Sequence, residues 1–223
     1  MNLDDEQHAG SLIAALTLSR ILGLGPLTMR ALLDQFESAE TVLAQPRSAL
    51  LQVAGVGSAL ADRICGADVS DTRKYLDRCD QLGVRLLQQS DAEYPHLLAT
   101  IMDAPPVLHC RGALLDQDDL AIGIVGSRRC SPYGIRHADR LAAALVRAGF
   151  TVVSGLARGI DAAAHRGALK AGGRTVAVLA TGLENIYPPE HTELAEEVMN
   201  QGALLSELPL DQNPLPGVFP QRN

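Results

Sequence analysis

Residues Ala121-Ile-Gly-Ile-Val-Gly-Ser-Arg-Arg-Cys-Ser-Pro-Tyr-Gly134 and Phe150-Thr-Val-Val-Ser-Gly-Leu-Ala-Arg-Gly-Ile-Asp161 share one design. A short apolar run is followed by a loop of Gly, Ser and Arg, and then by a helical pattern. Between the two, Tyr133 to Ala148 places Ala138, Leu141, Ala142, Leu145 and Val146 at helical spacing. The design recurs downstream. Thr175-Val-Ala-Val-Leu179 follows a helix over 160–171, the loop Ala180-Thr-Gly-Leu-Glu-Asn-Ile-Tyr-Pro188 comes next, and a helix over 190–201 leads to strand Ala203-Leu-Leu205. Near-continuous apolar strands separated by helices predict a mostly parallel, doubly wound α/β sheet covered on both faces, with Ala121–Val125 as a buried strand.

Upstream, residues 12–66 read as helical and carry one pattern twice. Leu18-Ser-Arg-Ile-Leu-Gly-Leu-Gly-Pro-Leu-Thr-Met-Arg-Ala-Leu-Leu33 is matched by Ala49-Leu-Leu-Gln-Val-Ala-Gly-Val-Gly-Ser-Ala-Leu-Ala-Asp-Arg-Ile64. Each has an apolar run, a Gly-x-Gly hairpin and a second periodic helix, which resembles a helix-hairpin-helix or SAM-like pair. Such hairpins bare backbone amides at a helix start, where an anion can sit. Residues 1–117 hold 9 basic and 15 acidic side chains, and that balance favours a compact structural module over a DNA grip. A helix over 71–83, strands at Val84–Gln88 and Val107–Arg111, and a short helix from Asp91 to near Ile101 connect the halves. The expected domains are 1–80, small and all-α, and 81–223, α/β.

The net charge is −7, yet 128–158 carries Arg128, Arg129, Arg136, Arg140, Arg147 and Arg158 against Asp139 alone. That local surplus, on loops at the carboxyl ends of parallel strands, points to phosphate. Dinucleotide binding fails two tests: arginines stand where G-x-G-x-x-G needs glycine, and Ser154-Gly155 replaces the ribose-binding acid. A hydrolase built on Ser154, Asp161 and His165 lacks the nucleophile-elbow context. Asp161 and His165, four apart on one helix, read as a neighbouring pair that fixes a loop. Glu184, Glu190 and Glu193 read as charge near a helix start. Cys65, Cys79, Cys110 and Cys130 show no metal-ligand spacing, and neither a metal nor a cofactor is expected. No apolar run is long enough to span a bilayer, and a polar, acidic start is unlike a secretory leader, so a cytoplasmic location is expected. Of the few aromatics, Tyr133, Tyr187 and Phe219 are candidates to stack on bases, Phe219 foremost.

Five stretches in order are similar to the DNA processing protein A (Smf) family. They are Val125-Gly-Ser-Arg128 with Ser131-x-Tyr-Gly134; Ser154-Gly-Leu-Ala-Arg-Gly-Ile-Asp-x-x-Ala-His165; Thr175–Leu179 with Gly182-Leu and Tyr187-Pro188; Leu205-Ser-Glu-x-Pro209; and Phe219-Pro-x-Arg-Asn223. The resemblance implies an extended Rossmann-like domain, a homodimer, single-stranded DNA binding, and loading of the RecA recombinase in natural transformation and competence. It implies no catalysis. It also implies further sheet elements and often a winged helix after the Arg-Asn pair, so the α/β domain is expected to be truncated. Arg128 and Phe219 match its DNA pocket, and Gly126, Ser127, Arg129 and Ser131 are the loop around the phosphate. Arg158 and Arg222 complete the candidate site. Two alternatives stand beside this one: a nucleoside-monophosphate phosphoribohydrolase on the same fold, and a scaffold whose helical module does the DNA binding.

Overall fold

A computed structural model describes residues 3–215 together with Gly217, Phe219 and Arg222. Pro220, Gln221 and Asn223, part of the last motif above, lie outside the described residues. Two compact units are present: 1–82 with 86–94 and 98–107, and 83–85 with 95–97 and 108–223.

The first unit holds helices α1 (Leu3–Ser19), α2 (Pro26–Phe36), α3 (Ala39–Leu43), α4 (Arg47–Leu50), α5 (Ser58–Cys65) and α6 (Val69–Gln81). The duplicated sequence produces duplicated backbone. Gly23 and Gly55 turn at φ 88° and 87°. Gly25 and Gly57 then cap α2 and α5 at φ/ψ of −84°/166° and −87°/171°. The positive φ is what reserves Gly23 and Gly55 for glycine. Leu16, Leu18, Leu32, Val42, Leu50 and Ile64 form the apolar interior. Thr17 and Thr72 pair their hydroxyls inside it at 2.8 Å, so neither is buried unsatisfied. Burial first, and the charge of Asp80 second, push the Cys79 thiol up to about 12, which leaves it an inert core residue.

The strands β1 (Arg85–Gln88), β2 (Val107–Gly112), β3 (Ala121–Gly123), β4 (Thr151–Ser154), β5 (Thr175–Val178) and β6 (Ala203–Ser206) follow the order β1-β2-β6-β5-β4-β3. Helix α7 (His96–Ala99) lies between β1 and β2 in the chain. Helices α8 (Pro132–Arg147), α9 (Ile160–Lys170) and α10 (Thr192–Gln201) are the crossovers of the second unit. β3, β4, β5 and β6 run parallel, with Val152 opposite Ile122 and Thr175, and Val176 opposite Ala203. β2 pairs antiparallel with β6, His109 opposite Ser206. The fold is therefore Rossmann-like α/β, mostly parallel, preceded in the chain by a helical module. Among the described residues no helix is long and apolar enough to cross a membrane.

One expectation is corrected. Ala121–Val125 is not a buried strand: regular β3 ends at Gly123, β3 is last in the sheet order of the described residues, and Val125 is 57% exposed, although Ile124 between them is buried. An apolar run is buried on both flanks only when a strand lies on each side, and among the described residues β3 pairs with β4 alone. For the same reason Leu141 on α8 is 53% exposed, and α8 buries just Ala138 and Ala142.

At the opposite end of the strands, Asp118 fastens three segments. Arg174 grips it with two nitrogens, Nε to Oδ1 at 2.9 Å and Nη2 to Oδ2 at 2.7 Å, and the Thr151 hydroxyl donates to Oδ1 at 2.7 Å. Arg174 also donates to the carbonyls of Ala113 and Gln201. Burial alone would raise the Asp118 carboxyl. The hydrogen bonds from Arg174, Thr151 and the Leu115 amide outweigh it and hold the group below its ordinary value.

Candidate nucleic-acid interface

Loops leaving the carboxyl ends of parallel strands gather at one rim, where ligands of open α/β sheets bind. Here those loops are 124–131 after β3, 155–159 after β4 and 179–188 after β5. The pairing that aligns the strands runs on into the loops. The Ile124 amide donates to the Val153 carbonyl at 2.8 Å, and the Leu179 amide to the Leu205 carbonyl at 2.8 Å. The Ser154 hydroxyl donates to the Ile124 carbonyl at 2.6 Å, tying the ends of β3 and β4 together.

The first loop is shaped by its own serines. Ser127 Oγ accepts the Arg129 amide at 3.1 Å. Ser131 caps α8, its Oγ accepting the Gly134 amide at 3.3 Å, with Pro132 pre-set at the first helical position. The second loop locks the first in place. The Ile160 amide donates to the Ser127 carbonyl at 3.3 Å, and Gly159 lies so close that a Cβ there would collide with that carbonyl oxygen. Gly159 sits at φ 80° and ψ −119°, a mirror-β backbone closed to L-residues. Its neighbour Leu156 is left-handed at φ 57° while fully buried, and its carbonyl accepts from His191 Nδ1 at 2.8 Å. A non-glycine residue in that region costs on the order of 1–3 kcal/mol, held here by burial and the histidine.

Arg128, Arg158, Tyr187, Pro188 and Phe219 line one shallow cleft, floored by Gly155, Ala157, Ala180 and Thr181. The Arg128 guanidinium lies 4.3 Å over the centre of the Phe219 ring, and Tyr187 meets the same ring at 5.9 Å. Arg158 is ion-paired to Glu190, 32 positions away in the chain, and bonds Tyr187 as well. That bond lowers the Glu190 carboxyl and raises the Arg158 guanidinium from their ordinary values. Glu190 is thus Arg158's counter-ion besides standing at a helix start, a pairing no local spacing could reveal. The enclosed space is about 10 Å³, room for about one water.

Of the candidate residues, Arg128, Arg158 and Phe219 come together in the cleft. Gly126, Ser127, Arg129 and Ser131 form the adjoining exposed loop. Arg222 is the exception. Its side chain is 8% exposed and turned inward, Nη1 donating to the carbonyls of Gly155 at 2.6 Å and Val178 at 2.5 Å, with Asp161 at 3.8 Å from Nη2. Three inward acceptors explain the turn, and any effect of Arg222 on a ligand passes through the loop it holds. Thr181 is a lining residue the sequence did not single out, although it stands in a loop it did.

Ser154, Asp161 and His165 form no catalytic array. Asp161 faces Arg222 rather than His165, and the Ser154 hydroxyl is spent on Ile124. His165 Nδ1 is 2.7 Å from Thr175 Oγ1, which itself donates to the Val152 carbonyl. The threonine proton is therefore engaged, Nδ1 must be the donor, and Nε2 is the bare ring nitrogen. Burial first, then His191 and Arg222, push the ring down to about 3. The linkage has a definite sign. An unfolded His165 takes up a proton below about pH 6.5 that the folded one refuses, so stability falls as pH drops from there towards 3. Urea unfolding at pH 7 and pH 5 should show the loss, and His165→Gln should flatten the slope by about one proton. An unchanged slope would place the titration elsewhere.

Known proteins resemble this chain in both sequence and fold. The model of the DNA recombination-mediator protein A family matches residues 85–223, and that of the SAM-like helix-hairpin-helix tandem matches 15–67. Protein Smf of Synechocystis sp. is 38% identical over 213 residues, 93% of this chain and 54% of that protein. DNA processing protein DprA of Bacillus subtilis is 39% identical, over 63% of this chain and 48% of its own. The chain spans about half the length of the curated relatives it matches. The X-ray structure of DNA processing protein A from Streptococcus pneumoniae superposes with a TM-score of 0.77 at 29% identity, over 93% of this chain and 70% of that one. A structure of the Helicobacter pylori protein, described for its single-stranded DNA binding mode, gives 0.55 at 30% identity, covering 62% of each chain.

Proposed function

This chain belongs to the DNA recombination-mediator protein A family, and from that premise we propose that it binds single-stranded DNA at the rim of its sheet as a non-catalytic protein of DNA recombination. The observation that carries the proposal is the exposed Arg128 guanidinium resting on the Phe219 ring, beside an exposed loop that also bears Arg129. Guanidinium groups suit a sugar-phosphate chain, and an aromatic ring suits an unstacked base of any identity. Recognition is then sequence-tolerant. Arg158 joins by exchanging Glu190 for a phosphate. The engagement of Ser154, Asp161 and His165 in structural bonds supports binding over hydrolysis.

The same premise extends to the biology. The proposed setting is the cytoplasm during natural transformation, where a homodimer protects incoming single strands and loads the RecA recombinase. Relatives named for DNA processing, and the Helicobacter protein's described single-strand binding, support the nucleic-acid part.

Fluorescence anisotropy with oligo-dT and with a duplex, over a salt series, tests the rim. Single strands should bind more tightly. Arg128→Ala should weaken them about tenfold or more and reduce the salt slope by about 0.7. Unchanged affinity and slope in that variant would remove the rim from the account.

A further inference from the structure

Helix α8 starts directly after the rim loop and runs away from it, and its solvent face is basic and aromatic. At 100° per residue, Arg136, Arg147, Arg140, Tyr133, Ala144 and His137 fall, in that angular order, within an arc of about 100°. The buried Ala138 and Ala142 point the other way. Arg136, Arg140 and Arg147 are exposed, and none has an acidic partner among the described residues. The single acid of this stretch, Asp139, is drawn off to Lys170 on α9 at 3.0 Å. Three unneutralised guanidinium groups therefore line about 16 Å of one helix in a chain whose net charge is −7. Beside them Tyr133, 64% exposed, packs against His137 with ring centroids 3.9 Å apart and the rings tilted by 42°.

We propose that α8 is a second contact track for single-stranded nucleic acid, carrying the strand onward from the rim with phosphates on Arg136, Arg140 and Arg147 and a base on the Tyr133–His137 pair. The inference rests on the rim reading for where the strand starts. Charge complementarity selects a polyanion. An exposed aromatic pair beside the arginine row selects a strand with unstacked bases, because a duplex offers it no free base face. Continuity with Arg128 and Arg129 at the head of the helix sets the path. Ordinary surface helices place acids among such arginines in i, i+4 pairs, and this face has none.

The test uses the full chain and two oligo-dT lengths: about 5 nucleotides, enough for the rim, and about 20, enough for both surfaces. The triple variant R136A/R140A/R147A should leave the short oligomer's affinity unchanged and weaken the long one about tenfold or more. Its salt slope on the long oligomer should fall by about 2, three phosphates at about 0.7 each. Tyr133→Ala should weaken the long oligomer severalfold and leave its salt slope intact. If the triple variant binds the long oligomer with unaltered affinity and slope, or loses short and long alike, the track is refuted. Arg128→Ala separates the two readings. Loss on both lengths upholds the rim. Loss on neither length, with the triple variant still impaired on the long one, removes the rim and leaves α8 standing.

Discussion

Gly159→Ala is expected to lower stability by about 2–5 kcal/mol and to disable the rim at the same time. Two costs combine. The mirror-β backbone at φ 80° excludes a Cβ, and the added carbon would collide with the Ser127 carbonyl and lie 3.0 Å from the Arg128 carbonyl carbon and oxygen. Those are main-chain atoms, so relief requires moving the loop that holds Arg128 and Arg129. Thermal unfolding should show a midpoint lowered by on the order of 10 °C, and oligo-dT affinity should drop even at temperatures where the variant is folded. Gly25→Ala serves as control, with negative φ and open space around it, and should shift stability by about 0.5 kcal/mol or less. A Gly159→Ala protein as stable and as tight-binding as the parent would mean that the two loops are not interlocked.

The second large effect is expected at the far end of the sheet. Asp118→Ala would leave Arg174 with carbonyl partners alone and Thr151 without its acceptor, in a setting where the two charges are 11% and 17% exposed. Breaking such a pair from one side costs about 3–5 kcal/mol. Asp118→Asn, which keeps the shape, should recover part of it. The pH dependence has a fixed direction. A carboxyl held below its ordinary value stabilises the fold at all pH values above about 3.9, and that contribution is lost as pH falls through the depressed value. Denaturant titrations of parent and Asp118→Ala should therefore differ most above pH 4 and converge in acid. A constant gap down to acid would assign the effect to packing instead. Single-strand binding by folded Asp118→Ala should match the parent, since the pair lies at the other ends of the strands.

Much of the architecture was readable from local pattern. Val152 and Val176 are buried strand residues because their runs are apolar without alternation, and the two Gly-x-Gly hairpins share a backbone because they share a sequence. What local pattern lacks is information about neighbours. Ala121–Val125 is as apolar as its companions, yet among the described residues β4 is the one strand that pairs with it. The antiparallel direction of β2 is likewise decided by pairing with β6. In the cleft, Arg128 and Phe219 were legible from type and motif. Arg158 was legible as a cation, but its neutralisation by Glu190 was not. The inward turn of Arg222 was not legible, because an arginine beside an aromatic residue suggests an outward fork and only three-dimensional placement brings the carbonyls of Gly155 and Val178 to its nitrogens.

The outer flank of β3 has a consequence for regulation. Among the described residues no strand pairs with that flank, and the loop bearing Arg128 springs from the top of the same strand. A segment docking along that flank would restrain the loop at its root, which makes the two binding events thermodynamically reciprocal: whatever factor docking adds to nucleotide affinity, bound nucleotide must add to docking.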